Sequence, residues 1–218
     1  MHNSSGFNKE LDKKRFEIIS KELVGDRCLE IGCGNGHMTK KLKKHFKEIT
    51  VIESGKAYAK EASKIKGVEV INKKLEDAPV RGKYHTIICC NVLEHVKDME
   101  GFLEKIKKFS YFHSRIIFSV PNAYSYNRIL GKELDIISDP KELDTHDLRI
   151  GHVRTFTRIS LYAILEKHGF KINNLSTRMY KPFPNSMMEQ LPRKLKDYCL
   201  NLHMSKCGAE IFAIARLK

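Results

Sequence analysis

Five short apolar segments alternate with helix-like segments over the first 120 residues, and this alternation limits the chain to few folds. The apolar segments are RCLEI, EITVIE, VEVIN, HTIICC and RIIFSV, at residues 27–31, 48–53, 68–72, 85–90 and 115–120. Strands that alternate with helices build a parallel sheet with helices on both faces. HTIICC is apolar almost throughout, which is typical of a central strand covered on both sides. The sequence therefore predicts an α/β, doubly wound fold.

The remaining segments extend this plan into one domain over residues 1–218. Residues 7–24 predict an amphipathic helix, so we treat residues 1–24 as an N-terminal helix and candidate lid. Residues 122–152 interrupt the alternation and are interpreted as an inserted cap over the substrate. Thr157 is a favourable N-cap for a further helix, and KINNLST and AEIFAIARL predict two last strands. Residues 178–208 stay unassigned.

Charge and hydropathy narrow the class of partner. The chain has 40 lysines and arginines against 26 acidic residues, a formal net charge of +14. Such an excess favours anionic partners, including phosphorylated small molecules and nucleic acid. The lysines are spread along predicted helices, opposite the apolar stripes, so nucleic acid is the less favoured partner. No apolar run reaches the roughly 20 residues of a membrane helix. The N-terminus lacks a secretory signal, so we expect a cytoplasmic protein.

The stretch CLEIGCGNG carries the clearest indication of a ligand. Gly32, Gly34 and Gly36 follow the first predicted strand, and Glu30 lies just before them. Ligands of open parallel sheets bind at this edge, and glycine lets a ligand lie against the backbone. A dinucleotide fingerprint would need a third glycine where His37 stands, and no P-loop lysine follows. A carboxylate at this place suits a cationic ligand better than a pyrophosphate.

Four motifs, in order, resemble those of the class I S-adenosylmethionine-dependent methyltransferases. They are CLEIGCGNG, Glu53 at the end of the second strand, LEDAP at 75–79 and CCNVLEHV at 89–96, and the match covers about residues 26–120. The resemblance implies a Rossmann-like, seven-stranded sheet of order 3-2-1-4-5-7-6 with the last strand antiparallel. It also implies S-adenosylmethionine as the cofactor and S-adenosylhomocysteine as the product.

The resemblance also implies the cofactor contacts, residue by residue. Glu30 would receive the ammonium group, and Glu53 would bind both ribose hydroxyls, which a carboxylate can do. Glu76 or Asp77 would take the exocyclic amine of adenine, and Asn91 would lie beside the methionine end. The predicted cofactor-binding residues are Glu30, Gly32, Gly34, Gly36, Glu53, Ser54, Leu75, Glu76, Asp77 and Asn91.

Two later stretches bear on the methyl acceptor. VPNAYS and GHVRTF, at 120–125 and 151–156, look like the subgroup of ubiquinone-biosynthesis-type and sugar or natural-product O-methyltransferases. This likeness implies O-methylation of a small, anionic molecule, which Arg154 would suit. The predicted acceptor-binding residues are Tyr124, Tyr126, Arg128, His146 and Arg154. An RNA or protein methyltransferase is the main alternative, and a non-catalytic cofactor-binding protein is the second. A homodimer is an open alternative to a monomer.

Two histidines are candidates for the general base that helps transfer to a hydroxyl. Histidine is the usual base near neutral pH. His95 follows the fourth strand, near the expected methyl position, although a structural role in the next helix explains it equally well. His152, in GHVRTF, is the second candidate. The short run with Asp144, His146 and Asp147 is weak support for a metal site, so we expect no metal.

Overall fold

One mixed sheet forms the centre of the molecule. The computed structural model describes residues 6–202 and 206–218; residues 1–5 of the candidate lid and 203–205 of the unassigned segment lie outside it. The strands in the described part are β1 (Arg27–Ile31), β2 (Glu48–Ile52), β3 (Glu69–Ile71), β4 (Tyr84–Cys90), β5 (Ser110–Pro121), β6 (Phe170–Arg178) and β7 (Glu210–Leu217). Their order is β3-β2-β1-β4-β5-β7-β6. Only β7 runs antiparallel to its neighbours within this described sheet, so the predicted order and orientation are confirmed.

Helices cover both faces of the sheet. The helices within the described ranges are α1 (Phe7–Ile19), α2 (His37–Leu42), α3 (Lys56–Ala62), α4 (Met99–Lys108), α5 (Tyr126–Glu133), α6 (Thr145–Ile150), α7 (Arg158–Lys167), α8 (Asn185–Gln190) and α9 (Arg193–Asn201). None of these described helices is long and apolar enough to cross a bilayer. Thr157 caps α7 as predicted, with its side chain accepting from the Ser160 amide.

Two apolar cores, one on each face, explain why the central strands are apolar throughout. Ile87 of β4 packs in the core that includes α4 and α7, whereas its neighbour Ile88 packs in the core that includes α1, α2 and α9. Successive side chains of a strand point to opposite faces. A strand covered on both sides is therefore apolar at nearly every position, as the last four residues of HTIICC are.

The N-terminal helix is shorter than predicted, and its role as a lid stays a prediction. It ends at Ile19, and a 3₁₀ turn follows over Ser20–Glu22. Phe7, Leu11, Arg15 and Ile19 form its buried stripe, at the spacing of successive helical turns. Arg15 donates from Nε to Glu210 Oε2 of β7 at 2.9 Å and pairs with the second carboxylate oxygen through Nη2. This buried ion pair joins α1 to the sheet.

The cap at 122–152 contains two short helices rather than the irregular chain that its weak periodicity indicated. Asp144 begins α6 with a reciprocal capping box to Asp147, and Gly151 ends it in the left-handed conformation, at φ 87°. Leu134, Ile136 and Leu148 are exposed. Neither helix has a buried residue, and both are short, at eight and six residues, so sequence periodicity is a weak signal for them.

Two helices also lie in the segment that the sequence left unassigned. Pro184 and Pro192 immediately precede α8 and α9. Met188 of α8 and Leu200 of α9 are buried against the same core as α1. Each helix spans fewer than ten residues, which is too short for periodicity to be read with certainty.

Candidate cofactor and acceptor site

The glycine stretch joins β1 to α2 at the carboxyl edge of the sheet. Gly32, Gly34 and Gly36 all have positive φ, at 74°, 50° and 73°. A Cβ added to Gly32 would lie 2.6 Å from Val92 Cγ2, whereas a Cβ on Gly34 would meet nothing within 4 Å. Gly32 is therefore required for packing, and Gly34 exposes bare backbone to open space in which a ligand fits.

Glu53 directly follows β2 and anchors this loop. Its Oε2 accepts from the Cys33 amide at 3.0 Å and the Gly34 amide at 3.3 Å, and its Oε1 accepts from the Gly55 amide at 2.8 Å. A carboxylate has about four acceptor positions, and the three amides together with the Cys33 thiol, 3.7 Å from Oε2, make four contacts, so ribose hydroxyls would have to replace some of them. The ribose role of Glu53 stays a prediction.

Glu30 is buried one strand away. Its Oε2 accepts from Thr39 Oγ1 at 2.6 Å, and burial raises its pKa to about 8. A bound ammonium group would favour the charged form and lower that pKa. The proposed ammonium contact of Glu30 thus agrees with its surroundings and stays a prediction.

The predicted adenine segment lies in the turn after β3. Leu75 is buried, whereas Ser54, Glu76 and Asp77 are exposed. Asn72, which the sequence analysis did not single out, donates from Nδ2 to Glu53 O at 2.7 Å and to Ser54 O at 3.2 Å. It joins the ends of β2 and β3. Its position as the last residue of the predicted strand VEVIN was the available signal.

Asn91 follows β4 and has the left-handed φ of 53°, which asparagine tolerates better than most residues. Its backbone amide donates to Ser119 O at 2.9 Å. Its side-chain Oδ1 is buried and has no hydrogen-bond partner among the described residues. An unmatched acceptor beside a glycine loop and two buried carboxyl groups fits the amino-acid end of S-adenosylmethionine, which carries the donors.

A small cavity lies beyond the end of β5, beneath the cap. Its volume is about 30 Å³. The lining residues come from the end of β4, the end of β5, the cap and the GHVRTF stretch; they are Glu94, Pro121, Asn122, Ala123, Arg128, Asp147, His152, Arg154, Thr155 and Phe156. Val153 N donates to Glu94 O at 2.8 Å, which brings the two predicted histidine segments together.

The two candidate bases are neighbours. The rings of His95 and His152 are 4.8 Å apart. His95 is exposed, and its Nδ1 lies 3.1 Å from Gly151 O. His152 has a largely buried side chain, and its Nδ1 lies 3.0 Å from Asp147 Oδ1. Asp147 therefore holds the ring of His152 in place, whereas His95 faces solvent.

Arg128 binds within the cap. Its guanidinium donates to Pro140 O at 2.6 Å, to Asp147 Oδ2 at 3.1 Å and also to Glu142 O. These contacts join α5 to the start of α6. Arg154 lines the cavity and donates from Nη2 to Lys97 O at 3.1 Å.

The other predicted acceptor residues differ in their surroundings. Tyr124 is 42 % exposed, and the Tyr126 ring packs 5.1 Å from that of Tyr180. His146 is exposed on α6 and is not part of the cavity lining. Their roles in acceptor binding stay predictions.

Glu94 is the cavity residue that the sequence analysis missed. It is 1 % exposed, and neither carboxylate oxygen has a hydrogen-bond partner in the described part of the chain. Burial raises its pKa to about 8. Glu94, His95 and His152 offer ligand atoms within 4.8 Å of one another, which is close enough for a metal ion. The expected absence of a metal stays a prediction.

The comparison with protein families identifies the chain. The sequence profile described as "Methyltransferase domain" matches residues 7–175. The chain therefore belongs to this family of methyltransferases. With the confirmed strand order, it is a class I S-adenosylmethionine-dependent methyltransferase, and S-adenosylmethionine is its cofactor.

Its relatives include enzymes with different methyl acceptors. Nodulation protein S of Azorhizobium caulinodans is 30 % identical over 153 residues, which cover 64 % of this chain and 74 % of that protein. The ubiquinone biosynthesis O-methyltransferase of Aeromonas salmonicida is 28 % identical, over 75 % of this chain and 70 % of its own length. The Rickettsia conorii protein of the same name is 26 % identical, and the chain covers 60 % of it.

Solved structures share the fold at lower identity. A methyltransferase from Thermotoga maritima superposes with a TM-score of 0.70 at 19 % identity, covering 96 % of this chain and 90 % of that one. The N-methyltransferase NodS from Bradyrhizobium japonicum, in complex with S-adenosylhomocysteine, gives a TM-score of 0.64 at 15 % identity, covering 99 % and 89 %.

Proposed function

We propose that this methyltransferase methylates a hydroxyl oxygen of a small, anionic molecule, with a histidine as the base. The observation that carries the proposal is the cavity beneath the cap, lined by Glu94, His152 and Arg154. A cavity of this small size favours a small acceptor over a macromolecule. Its volume of about 30 Å³ is that of one water in the liquid. We therefore expect the cap to move when the acceptor enters.

The chemistry divides between the cofactor and the chain. S-adenosylmethionine, when bound, supplies an electrophilic methyl group on its sulfonium. The chain must position the acceptor oxygen, exclude water and accept the proton. His152 suits the last task, because an Nδ1–H donated to Asp147 Oδ1, 3.0 Å away, would leave Nε2 as the accepting nitrogen. His95 stays the alternative base.

Arg154 supports an anionic acceptor. A guanidinium has five N–H donors, and the hydrogen bond from Nη2 to Lys97 O uses one of them. A sugar, sugar phosphate, nucleotide-linked sugar or specialised metabolite would fit this chemistry. We propose oxygen as the methylated atom on the likeness to the ubiquinone biosynthesis O-methyltransferases; NodS is named as an N-methyltransferase.

The charges of a second groove do not favour a polyanionic acceptor. This groove has a volume of about 800 Å³ and lies between α1, the start of α2 and α9. Its lining carries both signs of charge: Lys9, Lys13, Lys14, Lys41 and Arg193 against Glu10, Asp12, Glu17 and Asp197. A nucleic-acid groove would need a large excess of cations, whereas five cations against four anions are nearly balanced. We therefore rank RNA or protein as the lesser alternative, and keep a cytoplasmic location and a homodimer as proposals.

Methyl-labelled S-adenosylmethionine and a native cell extract test the proposal. The purified protein should transfer label into the small-molecule fraction, where mass spectrometry identifies the acceptor and the methylated atom. Boiled protein is the control. Label in RNA or protein would contradict the proposal, and label on nitrogen would correct its chemistry.

A further inference from the structure

Four glutamates are buried at the carboxyl edge of the sheet or beside it, and one differs from the rest. Glu30 accepts from a threonine hydroxyl, Glu53 accepts from three backbone amides, and Glu210 pairs with Arg15. Glu94 alone among these four has two carboxylate oxygens without a hydrogen-bond partner in the described residues. A buried polar group without a partner is rare and calls for a specific explanation.

Arg128 and Arg15 are already paired with other acidic groups, whereas Arg154, which also lines the cavity, donates to the backbone O of Lys97. Arg128 is held by Asp144, Asp147 and two backbone carbonyls. Arg15 pairs with Glu210 and Asp12. The charges of both arginines are thus balanced inside the chain.

The position of Glu94 joins this unmatched carboxyl to the acceptor site. It lines the cavity together with His152 and Arg154, and one of its oxygens lies within 4.8 Å of an imidazole nitrogen of His152. A group that enters the cavity would therefore contact Glu94 next to the proposed base. Buried hydrogen-bond acceptor atoms favour a ligand that supplies the missing donors. They disfavour a ligand that lacks these donors.

We infer that Glu94 binds a hydrogen-bond donor of the methyl acceptor, a hydroxyl or an ammonium group, and so selects acceptors that carry one near the methylated atom. The inference rests on the proposed function and deepens it. The anionic part of the acceptor would then lie toward Arg154, which lines the same cavity. His95, which the sequence favoured, would have no direct part in recognition.

The test compares Glu94→Gln with a matched control, Glu100→Gln, whose side chain is exposed on the first turn of α4. Both variants and the unaltered protein are given labelled S-adenosylmethionine and the acceptor fraction from the extract. We expect Glu94→Gln to lower kcat/KM about 10- to 100-fold, the range for one hydrogen bond to a charged group. Calorimetry should find its affinity for S-adenosylmethionine unchanged. Glu94→Asp should give an intermediate loss, and Glu100→Gln none.

Several results would overturn the inference. One is an unchanged kcat/KM in Glu94→Gln, and another is an equal loss of cofactor affinity, which would indicate a general structural role. A labelled product without a hydroxyl or amine beside the new methyl group would also contradict it. Loss of activity with a chelator, restored by Mg²⁺, would assign the Glu94 oxygens to a metal instead. If the unaltered protein labels no small molecule, the proposed function fails and the inference fails with it.

Discussion

At the scale of single residues, the site is defined by carboxyl groups placed where water cannot reach them. Glu30 and Glu94 are both buried, neither has a salt-bridge partner among the described residues, and burial raises the pKa of each to about 8. Such groups are protonated at neutral pH until a ligand changes their surroundings. The sequence pointed to His95 rather than Glu94 because the burial of Glu94 is not visible in the sequence. The two are adjacent in LEH, and residue type alone does not tell which is buried.

The first residue-scale prediction concerns the pH dependence of cofactor binding. An ammonium group beside Glu30 favours the carboxylate, so binding should release a proton while the empty protein holds one. Affinity for S-adenosylmethionine should therefore rise between pH 5.5 and 7, by up to about tenfold per pH unit for one proton. Calorimetry in two buffers of different ionisation enthalpy measures the release. Glu30→Gln should bind weakly and without this slope; an equal slope in the variant would contradict the ammonium contact.

The second residue-scale prediction concerns stability. The unfolded chain loses the Glu94 proton near pH 4.5, whereas the folded protein holds it to about pH 8. The folded state thus binds more protons between these values, so Glu94 makes stability fall as pH rises from about 4.5 to 8 and level off above. Glu94→Gln should flatten this decline by a few kcal/mol at most, as urea unfolding at pH 5 and pH 8 would measure. If stability declined equally in both proteins, the result would contradict a Glu94 carboxyl group that is buried without a hydrogen-bond partner.

At the scale of elements, long apolar strands were predictable and short exposed helices were not. HTIICC and RIIFSV lie in β4 and β5 because both faces of these strands are buried. The helices of the cap and those at 185–190 and 193–201 have six to nine residues each, which leaves little periodicity. The N-terminal helix was recognised, but its contact with β7 was not, because Arg15 and Glu210 are 195 positions apart.

That contact gives the element-scale prediction. Arg15→Met should leave Glu210 buried without a cation, which costs about 3–5 kcal/mol of unfolding free energy. The double variant Arg15→Met/Glu210→Gln should recover much of the loss, because no unmatched charge remains. Lys64→Ala, which removes an exposed pair with Glu61, should cost under about 1 kcal/mol. Urea unfolding measures all three; single and double variants of equal stability would contradict the role of the pair.

At the scale of the whole molecule, one edge of the sheet gathers residues from distant parts of the sequence. The glycine loop, Glu53 and Asn91 follow three strands whose adjacency the resemblance to methyltransferases anticipated. The cavity depends on the fold of the cap, and of its lining the sequence singled out His152 and Arg154 as candidates but not Glu94 or the Asp147–His152 contact. Motifs that bind a shared cofactor can be recognised in the sequence. Contacts made by a cap that is specific to this chain become visible only in the folded structure.

A crystal structure of the complex with S-adenosylhomocysteine would test this account most directly. We expect the ligand against Gly34, its ribose hydroxyls on the Glu53 carboxylate and its amino group near Glu30 or Asn91. Its sulfur should face the cavity of Glu94 and His152. A ligand bound instead in the groove between α1 and α9, or a sulfur directed away from that cavity, would contradict the assignment of the site.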